Sequence, residues 1–282
     1  MNAIEIRGLT KYYPGFTLGP LDLELPCGAI IGLVGENGAG KSTLIKLIMN
    51  AARNDGGSVS VLGVDNQSPD FAQVKQDIGI VLDEAYFPES LTAGRLGKVM
   101  AQTYSNWDGV CYADYLRHLS LPSNKPFKDF SRGMKMKLAI AVAMSHQPRL
   151  LILDEATSGL DPMVRDEILD VFNDFTRDES HSILLSSHIV SDLEKICDYI
   201  AFIHHGRLHF CEEKDRLIEE YAIVRLSRAD FEAIPEEAVR GVKYGDYGVE
   251  ALVLRSQVSR AIPTEHTSLE DIILFLAKGE RK

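Results

Sequence analysis

In the stretch Ala29-Ile30-Ile31-Gly32-Leu33-Val34-Gly35-Glu36-Asn37-Gly38-Ala39-Gly40-Lys41-Ser42-Thr43-Leu44-Ile45, an apolar run of strand length meets a glycine-rich loop. Leu44, Ile45, Leu47 and Ile48 then recur at helical spacing. Strand, loop and helix in that order predict an α/β fold with the loop at a helix N-terminus. Backbone N–H groups there, freed for close approach by glycine, can surround a polyphosphate with aligned donors. Gly35, Glu36, Asn37, Gly38, Ala39, Gly40, Lys41, Ser42 and Thr43 are therefore the candidate phosphate contacts. Lys41 supplies a charge for the β- and γ-phosphates, and Ser42 a hydroxyl for Mg²⁺. A tight turn explains Gly35 or Gly40 singly, but not Lys41-Ser42 in register with both.

A second apolar run, Leu150-Leu151-Ile152-Leu153, is too short for a helix and ends in Asp154-Glu155. That is expected of a buried parallel strand delivering acids to the edge where ligands bind. Asp154 is a candidate Mg²⁺ ligand, and Glu155 a candidate base for the attacking water. Capping of the next helix would account for one acid, less easily for the pair. Ser158-Gly159-Leu160-Asp161-Pro162 is turn chemistry before a helix. Ile183-Leu184-Leu185-Ser186-Ser187 is a further buried strand, ending on His188.

With 282 residues and 45% apolar content, the chain can bury one large α/β domain and a smaller appendage. Its 30 basic and 41 acidic residues give a net charge of −11, which argues against coating nucleic acid by bulk charge. The four cysteines (Cys27, Cys111, Cys197, Cys211) include no CxxC pair, so neither a disulfide framework nor a zinc ribbon is expected, and a reducing, cytosolic setting is. No apolar run approaches the roughly 20 residues that cross a bilayer, so a membrane role has to come through a partner.

These residues resemble the ATP-binding cassette (ABC) family. GENGAGKST, LLILDEATSGLDP and His188 follow in the family's order and spacing through about residue 213. Its signature segment, usually LSGGQ, corresponds to Phe130-Ser131-Arg132-Gly133-Met134, with Arg132 where the family has glycine. The resemblance implies a P-loop NTPase cassette with a mostly parallel central sheet, an antiparallel N-terminal β subdomain and a helical subdomain at about residues 84–135. It implies ATP and Mg²⁺ as cofactors, and catalysis by Glu155 with His188 in the switch-histidine position. It also implies a head-to-tail dimer with a second cassette, itself or a paralogue, in which Ser131 and Gly133 touch the γ-phosphate held by the other chain. The function implied is the ATP-hydrolysing subunit of a transporter of exporter type, a cytoplasmic chain held at the membrane by a separate permease. The alternative is a non-transport ABC ATPase acting on nucleic acid or ribosomes. Those usually carry long coiled coils, zinc modules or paired cassettes, and none is found in the sequence.

Three finer expectations follow. Tyr13, with Tyr12 as rival, matches the aromatic on which the family stacks adenine. Asp83, in Ile78-Gly79-Ile80-Val81-Leu82-Asp83-Glu84, aligns with a glutamine that normally links Mg²⁺ to the helical subdomain; a solvated loop acid is the rival reading. Tyr86, Phe87 and Trp107 are candidate contacts with the membrane partner. Within the helical region Tyr112, Tyr115, Leu116 and Leu119 are spaced for one buried face.

Residues 199–212 predict a hairpin turning at His205-Gly206-Arg207. The neighbouring Cys197, His204, His205, His209 and Cys211 invite a zinc reading but fit no recognised ligand spacing. Residues 214–282 read as a small accessory α/β domain. Its short strands lie at Ile223–Leu226, Arg240–Lys243 and Glu250–Leu254, the last two joined through Gly245-Asp246-Tyr247-Gly248. Ser268 caps its final helix, and shielding of the main sheet is the role expected of it.

Overall fold

The computed structural model describes residues 2–84, 86–246, 248–259 and 261–278. Tyr247 of the turn joining the last two strands lies outside them. The chain opens with β1 (Asn2–Tyr13) and β2 (Phe16–Pro26), an antiparallel pair whose register shifts between Ile6 and Leu9. Next come β3 (Ile30–Val34), α1 (Lys41–Ile48), β4 (Gly56–Val61), β5 (Val64–Asp65), α2 (Phe71–Val74) and β6 (Ile78–Val81). Among these, β2-β1-β4-β5 form a four-stranded antiparallel sheet. Then follow α3 (Ala93–Thr103), α4 (Gly109–His118) and α5 (Arg132–Met144), and after them β7 (Leu150–Asp154), α6 (Pro162–Phe175), β8 (Ser182–Ser187), α7 (Val190–Ile196), β9 (Tyr199–His204) and β10 (Arg207–Glu213).

The six-stranded sheet has the order β10-β9-β3-β8-β7-β6, parallel except for β10. Every residue of β3, β7 and β8 is buried, because helices or the first sheet cover both faces. Alternation sorts the side chains. Ile30, Val34, Leu151, Leu153, Ile183 and Leu185 face the core shared with α3 to α7, whereas Ile31, Leu33, Leu150, Ile152 and Leu184 face α1 and the first sheet. With β8 and β9 on either side of it, β3 stands where chain order reverses, and ligands of open α/β sheets bind at such a point.

Side-chain capping sets the helix starts. Asp161 accepts from the Val164 N–H at 3.0 Å with Pro162 behind it, and Ser131 accepts from Met134 at 3.3 Å. Tyr112, Leu116 and Leu119 form the buried face of α4, with Tyr115 packed beside them. Phe87 meets Phe127 edge-on at 5.5 Å and Trp107 lies 5.1 Å from Tyr112, so both brace the helical region, whereas Tyr86 is exposed.

Beyond β10 the chain forms α8 (Lys214–Glu220), β11 (Tyr221–Leu226), α9 (Arg228–Glu232), β12 (Val239–Gly245), β13 (Gly248–Leu254) and α10 (Leu269–Lys278). The antiparallel sheet β11-β13-β12 has an apolar cluster of its own, including Val224, Phe231, Val242 and Val253. Ser268 and Asp271 cap α10 reciprocally, the Asp271 N–H reaching Ser268 Oγ at 3.1 Å and the Ser268 N–H reaching Asp271 Oδ2 at 3.2 Å. Leu269, Ile272, Ile273 and Phe275 carry α10 onto α7, α8 and the small sheet, while α8 adjoins β10 at the edge of the six-stranded sheet.

Candidate functional site

The loop after β3 ends at Gly40, whose φ of 113° admits glycine readily and other residues with strain. No side chain caps α1 there, so its first N–H groups point into a cleft of about 280 Å³. Phe16, Glu36, Asn37, Gly38, Gly40, Lys41, Ser42, Thr43, Asp83 and Glu155 line it. Lys41 is buried, and its Nζ donates to the carbonyls of Gly35 (2.7 Å) and Glu36 (3.4 Å). A second cation reaches the loop from far along the chain: Lys278, at the end of α10, lies 3.8 Å from Glu36.

The loop is held from behind by the β9–β10 hairpin. The Gly206 N–H donates to the Ala39 carbonyl at 3.0 Å, and the Gly206 carbonyl accepts from Gly19 at 2.7 Å. His205 and Gly206 have φ values of 47° and 75°, as a two-residue hairpin turn requires, and a Cβ on Gly206 would lie 2.0 Å from the Thr17 carbonyl. The sequence shows the turn and its glycine. It does not show that the turn braces the phosphate loop.

Three strand ends bring acid, base and cation together. Asp154, buried at the end of β7, accepts from Ser186 Oγ of β8 at 2.6 Å. Glu155 follows with a φ of 53°, a left-handed conformation costing a non-glycine residue about 1–2 kcal/mol. Its N–H is satisfied by the Ser186 carbonyl (3.1 Å) and Oγ (3.2 Å), which hold the turn. The Glu155 carboxylate thus stands between two partners, with Oε1 3.4 Å from Lys41 Nζ and Oε2 2.6 Å from His188 Nδ1. A carboxylate accepts only, so the imidazole proton belongs on Nδ1. Ser186 went unremarked in the sequence. Its signal is the polar pair Ser186-Ser187 at the end of a fully buried strand, which demands partners.

Other expected residues lie elsewhere. Ser131 and Gly133 line a separate cleft of about 350 Å³ together with Gly159, Leu160 and Asp161, so within one chain they do not meet the phosphate loop. Asp83 lines the loop's cleft, yet its ionic partner is Arg132, 3.7 Å away. The same pair borders a roomier groove of about 690 Å³ toward Phe87 and Phe127, which holds none of the converging acid, base and cation. Tyr13 is half-exposed under the Lys11 ammonium and does not line the phosphate cleft. Phe16, across the β1–β2 turn, does.

Among the described residues no three His, Cys, Asp or Glu side chains converge for a metal. Burial pushes the Cys197 thiol up and the Cys211 thiol to about 11, which keeps both protonated. Burial and the neighbouring His205 pull His204 down, and its ring stacks with Phe202.

The family profile described as ABC transporter matches residues 18–158. The chain is 35% identical to the bacitracin transport ATP-binding protein of Enterococcus faecalis, over 73% of this chain and 67% of that protein. It is 33% identical to the lantibiotic transport ATP-binding protein of Streptococcus pyogenes, over 75% of this chain and 91% of that one. A solved ATP-binding subunit of an ABC transporter superposes with a TM-score of 0.69 at 28% identity, covering 76% of this chain and 91% of the other. The chain belongs to the ABC transporter family. Its part in that family is that of the ATP-binding, ATP-hydrolysing subunit. No described helix is long and apolar enough to cross a membrane.

Proposed function

We propose that this chain powers an exporter-type permease, a separate membrane-spanning subunit, from the cytoplasmic face of the membrane, and that two copies close head to tail around ATP. The observation that carries this reading is the division of the site. Lys41 and Glu155 line one cleft, with His188 bonded to Glu155 and Asp154 preceding it at the end of β7, while Ser131 and Gly133 line another. A second cassette, another copy of this chain or a paralogue, would bring the two kinds of cleft together.

In this reading residues 1–213 are the cassette and residues 214–282 an accessory domain. Backbone N–H groups from Gly35 to Thr43 hold the phosphates, and Tyr13 with Phe16 flanks the base. Stacking on such rings contributes about 1–3 kcal/mol per base in analogous contacts. Ser42, Asp154 and Asp83 offer an oxygen-only donor set, which suits Mg²⁺. When bound, that ion would neutralise charge developing on the phosphates. Lys41 exchanges its loop carbonyls and Glu155 for phosphate oxygens. Glu155 Oε1, so released, accepts a proton from the attacking water, while His188 Nδ1–H holds Oε2. Ser131 and Gly133 of the other copy, at a helix N-terminus, complete the γ-phosphate contact.

Mixing tests the composite site. Lys41→Ala loses the phosphate grip. Gly133→Asp keeps its own loop but turns a carboxylate on the other copy's phosphate, and a Cβ at Gly133 meets nothing closer than 3.7 Å. Each variant alone is expected to be inactive. Mixed, they form one intact site per heterodimer and recover ATP turnover; no recovery would overturn the composite site. Recovery of a polytopic membrane protein with the chain tests the transport role, and recovery of ribosomes instead would count against it.

A further inference from the structure

Two residues that depart from the family pattern, 49 positions apart in the chain, touch. Asp83 stands where the family has glutamine and Arg132 where it has glycine, and Arg132 Nη2 lies 3.7 Å from Asp83 Oδ1. The guanidinium also lies over the turn before α6, where a Cβ added at Gly159 would come within 2.6 Å of Nη1 and 2.8 Å of Cζ. Arg132 is the first residue of α5, between Ser131 and Gly133. Its side chain therefore ties the wall of the phosphate cleft, the start of the signature helix and the turn before α6 to one charge. Asp83 borders the phosphate cleft and Arg132 the signature cleft, so this contact joins the two within one chain.

We propose that the Asp83–Arg132 pair links the phosphate cleft to the signature cleft, and that Arg132 is a positioning residue which sets Ser131 and Gly133 for the phosphate of the other cassette. The proposal rests on the composite-site reading. Both side chains are about 60% exposed, so the pair is weak in either state and easily remade. With Oδ1 on Arg132, Asp83 Oδ2 is left for a ligand in the phosphate cleft, so the link can hold in the ATP-bound dimer and still be remade in each cycle. Coupling is reciprocal: loosening the start of α5 alters the ATP response, and ATP alters the start of α5. Since a single Nη2 makes the contact, a lysine at position 132 supplies the needed point charge without reproducing the guanidinium plane.

The test uses the full chain carrying Glu155→Gln to block turnover, with Mg-ATP as ligand and sedimentation to read dimer formation. Arg132→Gln is expected to weaken ATP-driven dimerisation roughly fivefold, because two exposed pairs are lost per dimer. Arg132→Lys is expected to recover most of that loss, and Asp83→Asn with Arg132→Gln to be no weaker than the weaker single variant. Binding of a fluorescent ATP analogue to Arg132→Gln at chain concentrations too low for dimerisation, together with its thermal melt, should match the parent chain, which separates positioning from folding. Equal dimerisation in Arg132→Gln and its parent, or losses that add in the double variant, would overturn the link and leave the composite site standing. A Glu155→Gln chain that stays monomeric in Mg-ATP would overturn both.

Discussion

The two clefts that make up the nucleotide site are built to different standards. Around the phosphate loop Lys41 and Asp154 are buried, Glu155 is largely so, and each is held by short contacts to backbone, to Ser186 or to His188. Around Ser131 the groups are half-buried or exposed, and the links are a 3.3 Å cap and a 3.7 Å ion pair. Chemistry needs groups fixed before the reaction, since reorganising them would add to the barrier. A surface that closes and reopens against a second molecule needs contacts weak enough to break in each cycle. The difference therefore separates the half that reacts from the half that docks.

That contrast can be broken most sharply at Glu155. In Glu155→Gln, turnover should fall by about 10²–10⁴-fold, the range for a positioned base, while ATP is retained. Near-normal ATP hydrolysis in a single-turnover assay would remove the base assignment. Lys41→Ala comes next. Loss of a charge-assisted phosphate contact of about 1.5–3 kcal/mol should weaken ATP binding by about ten- to a hundredfold, read by equilibrium titration.

On the docking side, Ser131→Ala removes the α5 cap, a change of about 1 kcal/mol. It should lower ATP-driven association about fivefold while leaving ATP binding to a single chain intact. If binding fell instead, the two clefts would not be as separate as their linings indicate. The smallest effect is expected at Lys278→Ala. The Lys278–Glu36 pair is exposed on both sides, so ATP affinity at physiological salt should change by less than about twofold. A larger shift would make α10 part of the phosphate site.

Much of this site was legible along the chain. Local rules suffice for an apolar run, a glycine loop and a helix in register, for acids at the end of a buried strand, for the turn at Ser158–Pro162 and for Ser268 as a cap. Each depends on residues within a few positions of one another. The legibility ends where the partner is distant. That Phe16, paired with Tyr13 across the β1–β2 turn, lines the phosphate cleft follows from the strand register. The hairpin at His205-Gly206 reads as a turn, but only its packing makes it a brace for Ala39. The tail reads as an amphipathic helix, yet that it lies on α7, α8 and the small sheet is decided by packing.

The phosphate loop, the Asp154-Glu155 pair and His188 were thus determined by the sequence itself, since strand, loop and helix signals are short-range and the chemistry allows few residue types there. Tertiary structure alone decided that Glu155 sits between Lys41 and His188, that Ser186 supports both Asp154 and the Glu155 turn, and that Asp83 and Arg132 meet. Those contacts join separate strands and loops, and their distances come from the order and register of the sheet, which no local pattern encodes.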